Sequence, residues 1–190
     1  QPGDWGGIDI RFLNPDGQGR FSRLNHVIIQ YGQNNFVVRS SNGVTEFQTA
    51  FRNLASRYAS SDGIEIINTR LRLEQATIEN NNQHGLDISG SSSDVSIQES
   101  VIRNNGSYGI DDASGAVSSI YKTDVSGNSR GGIKIDHSEK IISIRRNTIS
   151  NNGGDGLWVK NTNTQDTSLV IARNRIVNNQ GVGIFSSRAL

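Results

Sequence analysis

The chain has 190 residues, with 19 basic and 18 acidic side chains and a formal net charge of +1. This balance gives no electrostatic basis for binding nucleic acid or an anionic membrane, and no apolar run reaches the roughly 18 to 20 residues that membrane insertion needs. Because cysteine is absent, disulfide bonds and thiolate chemistry are excluded.

The first third of the chain is its least regular part. Residues 7–10 (Gly-Ile-Asp-Ile) predict an opening strand, and Leu24 and Ile29 are separated by the five-residue apolar spacing that recurs later. A stripe with helical spacing follows at Phe47, Phe51, Leu54, Ala55 and Tyr58. This stripe predicts either a short helix leaning on the rest of the fold or an enlarged turn.

From residue 62 onward a fixed pattern repeats every 22 to 27 residues. Each unit contains an asparagine four residues before a glycine, and apolar residues alternate with polar ones on both sides of this pair. Alternation of period two indicates strands with one buried face. Each unit has room for about three short strands but none for a crossover helix. We therefore predict an all-β, single-domain parallel β-helix of about seven coils over residues 1–190.

The phase of the asparagines predicts a ladder along this β-helix. A turn that recurs in every coil favours a residue that tolerates left-handed backbone angles, and asparagine does so best after glycine. Amide side chains stacked one coil apart can also donate to and accept from one another. The predicted ladder consists of Asn81, Asn105, Asn128, Asn152 and Asn179. Asn105 also begins an Asn-Gly-Ser glycosylation sequon, which we expect to be unmodified because of the ladder.

Residues 85–88 (Gly-Leu-Asp-Ile), 132–135 (Gly-Ile-Lys-Ile) and 156–159 (Gly-Leu-Trp-Val) resemble the right-handed parallel β-helix repeat family. This family includes pectate-lyase-like enzymes, uronate epimerases, adhesins and noncatalytic surface modules, so that fold membership alone does not fix an activity. The resemblance implies a segment of a longer extracellular or cell-surface protein. Its expected partner is a glycan or another surface protein.

One outward position, two residues after each repeat glycine, forms a column along the predicted coils: Asp9, Glu65, Asp87, Asp111, Lys134, Trp158 and Phe185. Neighbouring carboxylates in such a column repel each other by roughly 1 kcal/mol in water, so something must screen them. One interpretation is a ligand-binding groove formed by Glu65, Asp87, Asp111, Lys134 and Trp158, with acids for a cation or sugar hydroxyls and a ring for stacking. The alternative is a solvated sheet face.

Residues 108–112 (Tyr-Gly-Ile-Asp-Asp) resemble the start of the Tyr-Gly-Phe-Asp-Pro-His motif of mannuronan epimerases. This resemblance would mark Tyr108 and Asp111 as catalytic. Here Asp112 stands in place of the proline and Ala113 in place of the histidine, so the motif lacks its base. Asp112 and Ser118 both take inward positions that are aliphatic in sister coils, which predicts that they share a buried polar pocket.

Metal and cofactor binding find little support in the sequence. His26, His84 and His137 lie at unlike positions in separate coils, so we expect solvated histidines rather than zinc ligands. Aligned acids such as Asp87 and Asp111 leave calcium open, but the Gly-Gly-x-Gly-x-Asp calcium repeat is absent. We expect no cofactor and no metal.

Taken together, these patterns favour a noncatalytic rod for adhesion, assembly or glycan binding. The alternative is a polysaccharide lyase or uronate epimerase, which would need its base, acid and neutralising cation in two or three adjacent coils. The open strand edges at the ends of a solenoid also predict self-association, end to end or edge to edge.

Overall fold

The structure, a computed structural model, describes residues 3–12, 22–40, 49–90, 93–138, 142–161 and 169–188. Within these ranges every regular element is a β-strand, and every strand pairing is parallel. Eight strands form the first sheet, one from each passage of the chain: β1 (Ile8–Phe12), β3 (Phe36–Ser40), β5 (Ile64–Ile67), β8 (Leu86–Ser89), β11 (Tyr108–Asp112), β14 (Gly131–Ser138), β17 (Leu157–Asn161) and β20 (Ile184–Arg188).

Twelve further strands build the rest of the coils: β2 (Ser22–Gln30), β4 (Thr49–Arg57), β6 (Arg70–Glu74), β7 (Thr77–Glu79), β9 (Asp94–Gln98), β10 (Val101–Arg103), β12 (Val117–Tyr121), β13 (Asp124–Ser126), β15 (Ile142–Arg145), β16 (Thr148–Ser150), β18 (Leu169–Ala172) and β19 (Arg175–Val177). The long strand β4 pairs with β6 through its first half and with β7 through its second half. We call the stack β6-β9-β12-β15-β18, with the first halves of β2 and β4, the second face. The stack β7-β10-β13-β16-β19, with the second halves of β2 and β4, is the third face.

This strand order is that of a parallel β-helix, in which each strand pairs with its equivalent one coil along, about 4.8 Å away. The predicted fold is therefore confirmed, and the eight strands of the first sheet agree with the predicted number of about seven coils. In the described ranges no helix has the length and hydrophobicity needed to cross a membrane.

The predicted helix or enlarged turn before Gly63 is wrong, because β4 is a strand of nine residues. Phe51 and Leu54 are buried on either side of Asn53, which has a φ of 52°. The left-handed residue moves the alternation of inward and outward side chains by one position, so that the two halves of β4 together imitate helical spacing. Phe47, the first residue of the stripe, lies outside the described residues.

The core is a set of aliphatic columns inside the coils. In the first sheet one column runs through Phe36, Ile64, Leu86, Ile110, Ile133 and Leu157, all with no exposed surface. Burial of such side chains contributes about 1.5 to 3 kcal/mol each. Because identical positions stack in every coil, the hydrophobic pattern of one repeat fixes the register of the next.

The asparagine ladder is present as predicted, along the corner between the third face and the first sheet. Asn81, Asn105 and Asn128 each donate their side-chain amide to the Oδ1 of the next ladder residue, at 2.9 to 3.0 Å. Asn152 continues the line to Asn179. The predicted backbone reason is wrong, however: the left-handed residue is the one before each ladder position, as at Asn104 (φ 55°).

A second, shorter ladder was not predicted. At the corner between the second and third faces, the Asn147 side chain donates to Asn174 Oδ1 at 3.1 Å, and its own Oδ1 accepts from the Thr123 amide at 2.8 Å. Ser100 Oγ accepts in the same way from the Ala76 amide. The residues of this second ladder differ in type, so the repeat pattern of the sequence does not reveal it. Their hydrogen bonds nevertheless satisfy the buried polar groups of one corner.

The three corners of the coil differ in how much their length varies. From the inward residue of the second face to the ladder asparagine the distance is always eight residues, as from Leu73 to Asn81. From the repeat glycine to the second face it ranges from eight residues, Gly63 to Leu71, to thirteen, Gly156 to Leu169. The variable repeat length therefore lies at the corner that joins the first sheet to the second face.

Candidate functional site

The predicted outward column exists on the first sheet. Strand register places Glu65, Asp87, Asp111, Lys134 and Trp158 next to one another in consecutive coils, followed by Phe185. One correction is needed, because the buried residue Val37 stands between Asp9 and Glu65.

Val37 separates Asp9 from the other acids of the column. Asp9 instead pairs with Arg11 and Arg39 at 2.8 and 3.1 Å, and its hydrogen bond from Arg11 lowers its pKa. The continuous acidic run is therefore Glu65, Asp87 and Asp111.

A second column lies one position before each repeat glycine, and backbone hydrogen bonds fix its order: Asp62, His84, Tyr108, Gly131, Asp155 and Val182. The imidazole of His84 is parallel to the phenol ring of Tyr108, with centroids 6.0 Å apart and an interplanar angle of 1°. A Cβ at Gly131 would lie 2.5 Å from the Tyr108 ring. The glycine therefore leaves the space that the tyrosine ring occupies.

Charged groups from three neighbouring coils meet around Tyr108. Lys134 Nζ donates to Asp111 Oδ1 at 3.0 Å, while His84 Nε2 lies 3.8 Å from Asp111 Oδ2. The Arg130 guanidinium and the Lys134 ammonium lie 5.3 and 5.8 Å from the Tyr108 ring centroid, within cation–π range. We call Tyr108, His84, Asp111, Lys134 and Arg130 the Tyr108 cluster.

Acidic neighbours set the electrostatics beside this cluster. The pKa of Asp87 is raised to about 6, first by burial and then by the carboxylate of Asp62. His84 opposes this rise, whereas Asp111 and Glu65 add to it. Glu65 accepts a hydrogen bond from the Asn34 amide at 2.9 Å. Burial and the neighbouring carboxylates thus make Asp87 easier to protonate than an ordinary aspartate.

The column ends in aromatic rings. Trp158 and Phe185 are stacked, with centroids 5.7 Å apart and an interplanar angle of 10°. Phe185 is exposed, and Trp158 is half-buried. The outward face thus changes from acidic to basic to aromatic along the axis.

The sequence prediction missed His84 as part of the site. Its side chain is only 16% exposed, so the predicted solvated histidine is wrong, and its Nδ1 has no hydrogen-bond partner among the described residues. The repeat phase held the signal, since His84 and Tyr108 both directly precede a repeat glycine. His26 is exposed, as expected. The side chain of His137 lies outside the described residues.

Asp112 is buried as predicted, but its expected partner is wrong. Its carboxylate accepts from the amides of Ser114 and Val117, at 3.1 and 2.7 Å, and from the Ser114 hydroxyl. A bulge in β12 places Val117 beside Val95, so Ser118 does not fill the inward position. Ser118 instead donates to the Val95 carbonyl oxygen at 3.3 Å.

Across the described ranges, no group of three or more histidine, cysteine or acidic side chains could hold a metal ion. Asn105 has no exposed surface and is held by the ladder on both sides, which agrees with an unmodified sequon.

Comparison with known proteins gives one finding. A family model described as a right handed beta helix region matches residues 34–189 of the chain. No match was found among curated proteins or among solved structures. The family match gives the coil its right hand, but so widely used a fold does not fix an activity.

Proposed function

Since the chain belongs to the right-handed β-helix family, we propose that it is a noncatalytic, extracellular or cell-surface rod that binds a polysaccharide along the first sheet. One observation carries this proposal: the unbroken register from Glu65 through Asp87, Asp111 and Lys134 to Trp158. Groups suited to a sugar chain follow one another at the coil spacing of about 4.8 Å.

Each part of this face supports a different contact with a saccharide. Carboxylates such as Glu65 accept hydrogen bonds from sugar hydroxyls. Lys134 and Arg130 offer positive charge to an acidic substituent. The stacked pair Trp158 and Phe185 offers an apolar ring face at the end of the column. A linear polysaccharide laid parallel to the axis would meet these contacts in turn.

The test is binding of the protein to a panel of neutral and uronate oligosaccharides, measured by isothermal titration calorimetry. We expect Trp158→Ala to weaken binding roughly five- to tenfold, because it removes the larger ring of the stacked aromatic pair. The matched control is Trp5→Ala, since Trp5 is the other tryptophan and is exposed at the opposite end of the rod. Equal affinities for the wild type and Trp158→Ala would contradict the proposal.

A second candidate, a polysaccharide lyase or uronate epimerase, is favoured by the Tyr108 cluster. Elimination takes the C5 proton of a uronate to a base, forms the C4–C5 double bond, breaks the C4–O bond and protonates the leaving oxygen. Epimerisation returns a proton to the other side of C5. Tyr108 and His84 offer groups for proton transfer, and Arg130 and Lys134 offer charge to neutralise the uronate carboxylate. These groups lie in three adjacent coils, as such an enzyme needs.

Incubation with acidic polysaccharides separates the two candidates. An enzyme would produce unsaturated uronates or change the uronate composition, and Tyr108→Phe or Asp111→Asn would abolish this turnover. A rod would bind without producing either change. If turnover occurs and Asp111→Asn removes it, the noncatalytic proposal is wrong.

Self-association through the rod ends is also a proposal. It is supported by Ile184 and Phe185, which are exposed in β20, the last strand of the first sheet, and by Val182, which is exposed just before that strand. Sedimentation velocity at rising protein concentration tests it. A strictly monomeric species at all concentrations would contradict self-association.

A further inference from the structure

The second face contains a groove that the first-sheet site does not use. Two adjacent cavities of about 230 and 360 Å³ open on it, and Arg72 lines both. The smaller is lined further by Arg70, Asp94, Ser96 and Ser118. The larger is lined further by Arg23, Leu24, Asn25, Ala50, Arg52 and Glu74. We call the two cavities together the arginine groove.

Side-chain size explains where the groove opens. Register places Arg23, Ala50, Arg72 and Ser96 in one outward column of the second face. The small side chains of Ala50 and Ser96 leave space on either side of Arg72. The bulge in β12 then puts Ser118 at the far wall of the smaller cavity.

The groove has an excess of positive charge. Arg52 and Arg72 both pair with Glu74, so one carboxylate serves two guanidinium groups. Arg23 and Arg70 have no ion pair with any described residue, although register places Asp94 beside Arg70. Four guanidinium groups therefore face two carboxylates in the lining.

We propose that the arginine groove is a second binding site, which takes the carboxylate groups of an acidic polysaccharide. Guanidinium groups bind carboxylates through paired, charge-assisted hydrogen bonds. Arg23, Arg52 and Arg72 come from three consecutive coils, in two neighbouring columns, which suits a ligand that carries several charges along its length. Ser96, Ser118 and Asn25 offer partners for its hydroxyls. The side chains of Arg52 and Arg72 are 58% and 61% exposed, which fits a chain lying on the surface.

The probes are a tetragalacturonate and its fully methyl-esterified counterpart, which keeps the ring hydroxyls and lacks the charge. We expect calorimetry to show that the acidic form binds at least tenfold more tightly, with affinity falling as salt rises. Arg70→Gln and Arg72→Gln should each weaken binding roughly five- to tenfold. Ala50→Leu, which fills the larger cavity without changing charge, should weaken it as well.

The matched control is Arg145→Gln, because Arg145 is exposed on the same face but does not line the groove. Equal binding of the ester, equal loss in Arg145→Gln, or no binding of tetragalacturonate would overturn the proposal. Binding of inorganic sulfate as tightly as tetragalacturonate would also overturn it, because it would show a site for a simple anion only.

This second site does not depend on the saccharide face of the first sheet. Lys134→Gln and Trp158→Ala lie on that other face and should leave the arginine-dependent binding unchanged. The two proposals can therefore fail separately.

Discussion

Asn128 lies in the middle of the asparagine ladder and has no exposed surface. Its Oδ1 accepts from both the main-chain and side-chain amides of Asn105, at 3.1 and 3.0 Å. Its Nδ2 donates to the Ile102 carbonyl oxygen at 3.2 Å and to Asn152 Oδ1 at 3.0 Å. Asn128→Ala removes all four hydrogen bonds and leaves the Asn105 main-chain amide without a partner inside the protein.

The expected cost follows from these contacts. A buried, unpaired amide costs about 1 to 3 kcal/mol, and each further hydrogen bond contributes about 1 kcal/mol. Together with the three further hydrogen bonds, we therefore expect Asn128→Ala to lower the free energy of unfolding by about 4 to 6 kcal/mol. With a urea dependence of about 2 kcal/mol per molar, the midpoint of urea unfolding should fall by roughly 2 to 3 M.

Urea unfolding followed by circular dichroism measures this change. The control is Asn82→Ala, the same substitution at an exposed residue directly after the ladder position Asn81. We expect the control to change the free energy of unfolding by less than about 0.5 kcal/mol. A loss below about 1 kcal/mol in Asn128→Ala, or one equal to that of the control, would refute the stabilising role of the ladder.

Three further results are expected. Gly132→Ala should strongly lower the midpoint of urea unfolding, because a Cβ there would lie 2.5 Å from the Gly156 carbonyl oxygen. The control is Gly6→Ala, whose Cβ would meet no atom within 4 Å and should leave the midpoint unchanged. Equal midpoints for the two variants would contradict this. In the folded protein the carboxyl group of Asp87 has a pKa of about 6, above the ordinary 3.8. Protonation of Asp87 therefore stabilises the folded state increasingly as the pH falls from about 6 to 3.8. Asp87→Asn should therefore raise the urea midpoint at pH 7 and reduce its dependence on pH across that window; an unchanged pH profile would show that Asp87 has its ordinary pKa. Mass spectrometry of folded protein from a glycosylating host should find Asn105 unmodified, and a glycan on that residue would contradict its buried position.

The repeat phase was enough to predict the coil, the ladder and most of the outward column. These features depend on one residue recurring at one position, which a sequence shows directly. Val37 was missed in the column because no glycine marks its coil. The bulge at Ser118 was missed because the extra residue in β12 is one serine beside another.

The contacts of the Tyr108 cluster and of the arginine groove were less accessible to sequence reasoning. His84 and Tyr108 differ in type, so that only their shared phase before a glycine connects them. The groove depends on the small size of Ala50 and Ser96 beside Arg72. Polar residues fill most outward positions of a solvated sheet, and a cavity among them becomes visible only when neighbouring coils are compared.

The corner with variable length, between the first sheet and the second face, gives this rod a modular construction. Extra residues there change the outline of a single coil, while the neighbouring coils keep their axial order and their hydrogen-bonded lines. Loops could thus be lengthened, exchanged or grafted at this edge without displacing the side chains of either flat surface. The same edge borders both proposed binding surfaces, so that new loop sequences would adjust selectivity on two sides of the rod at once.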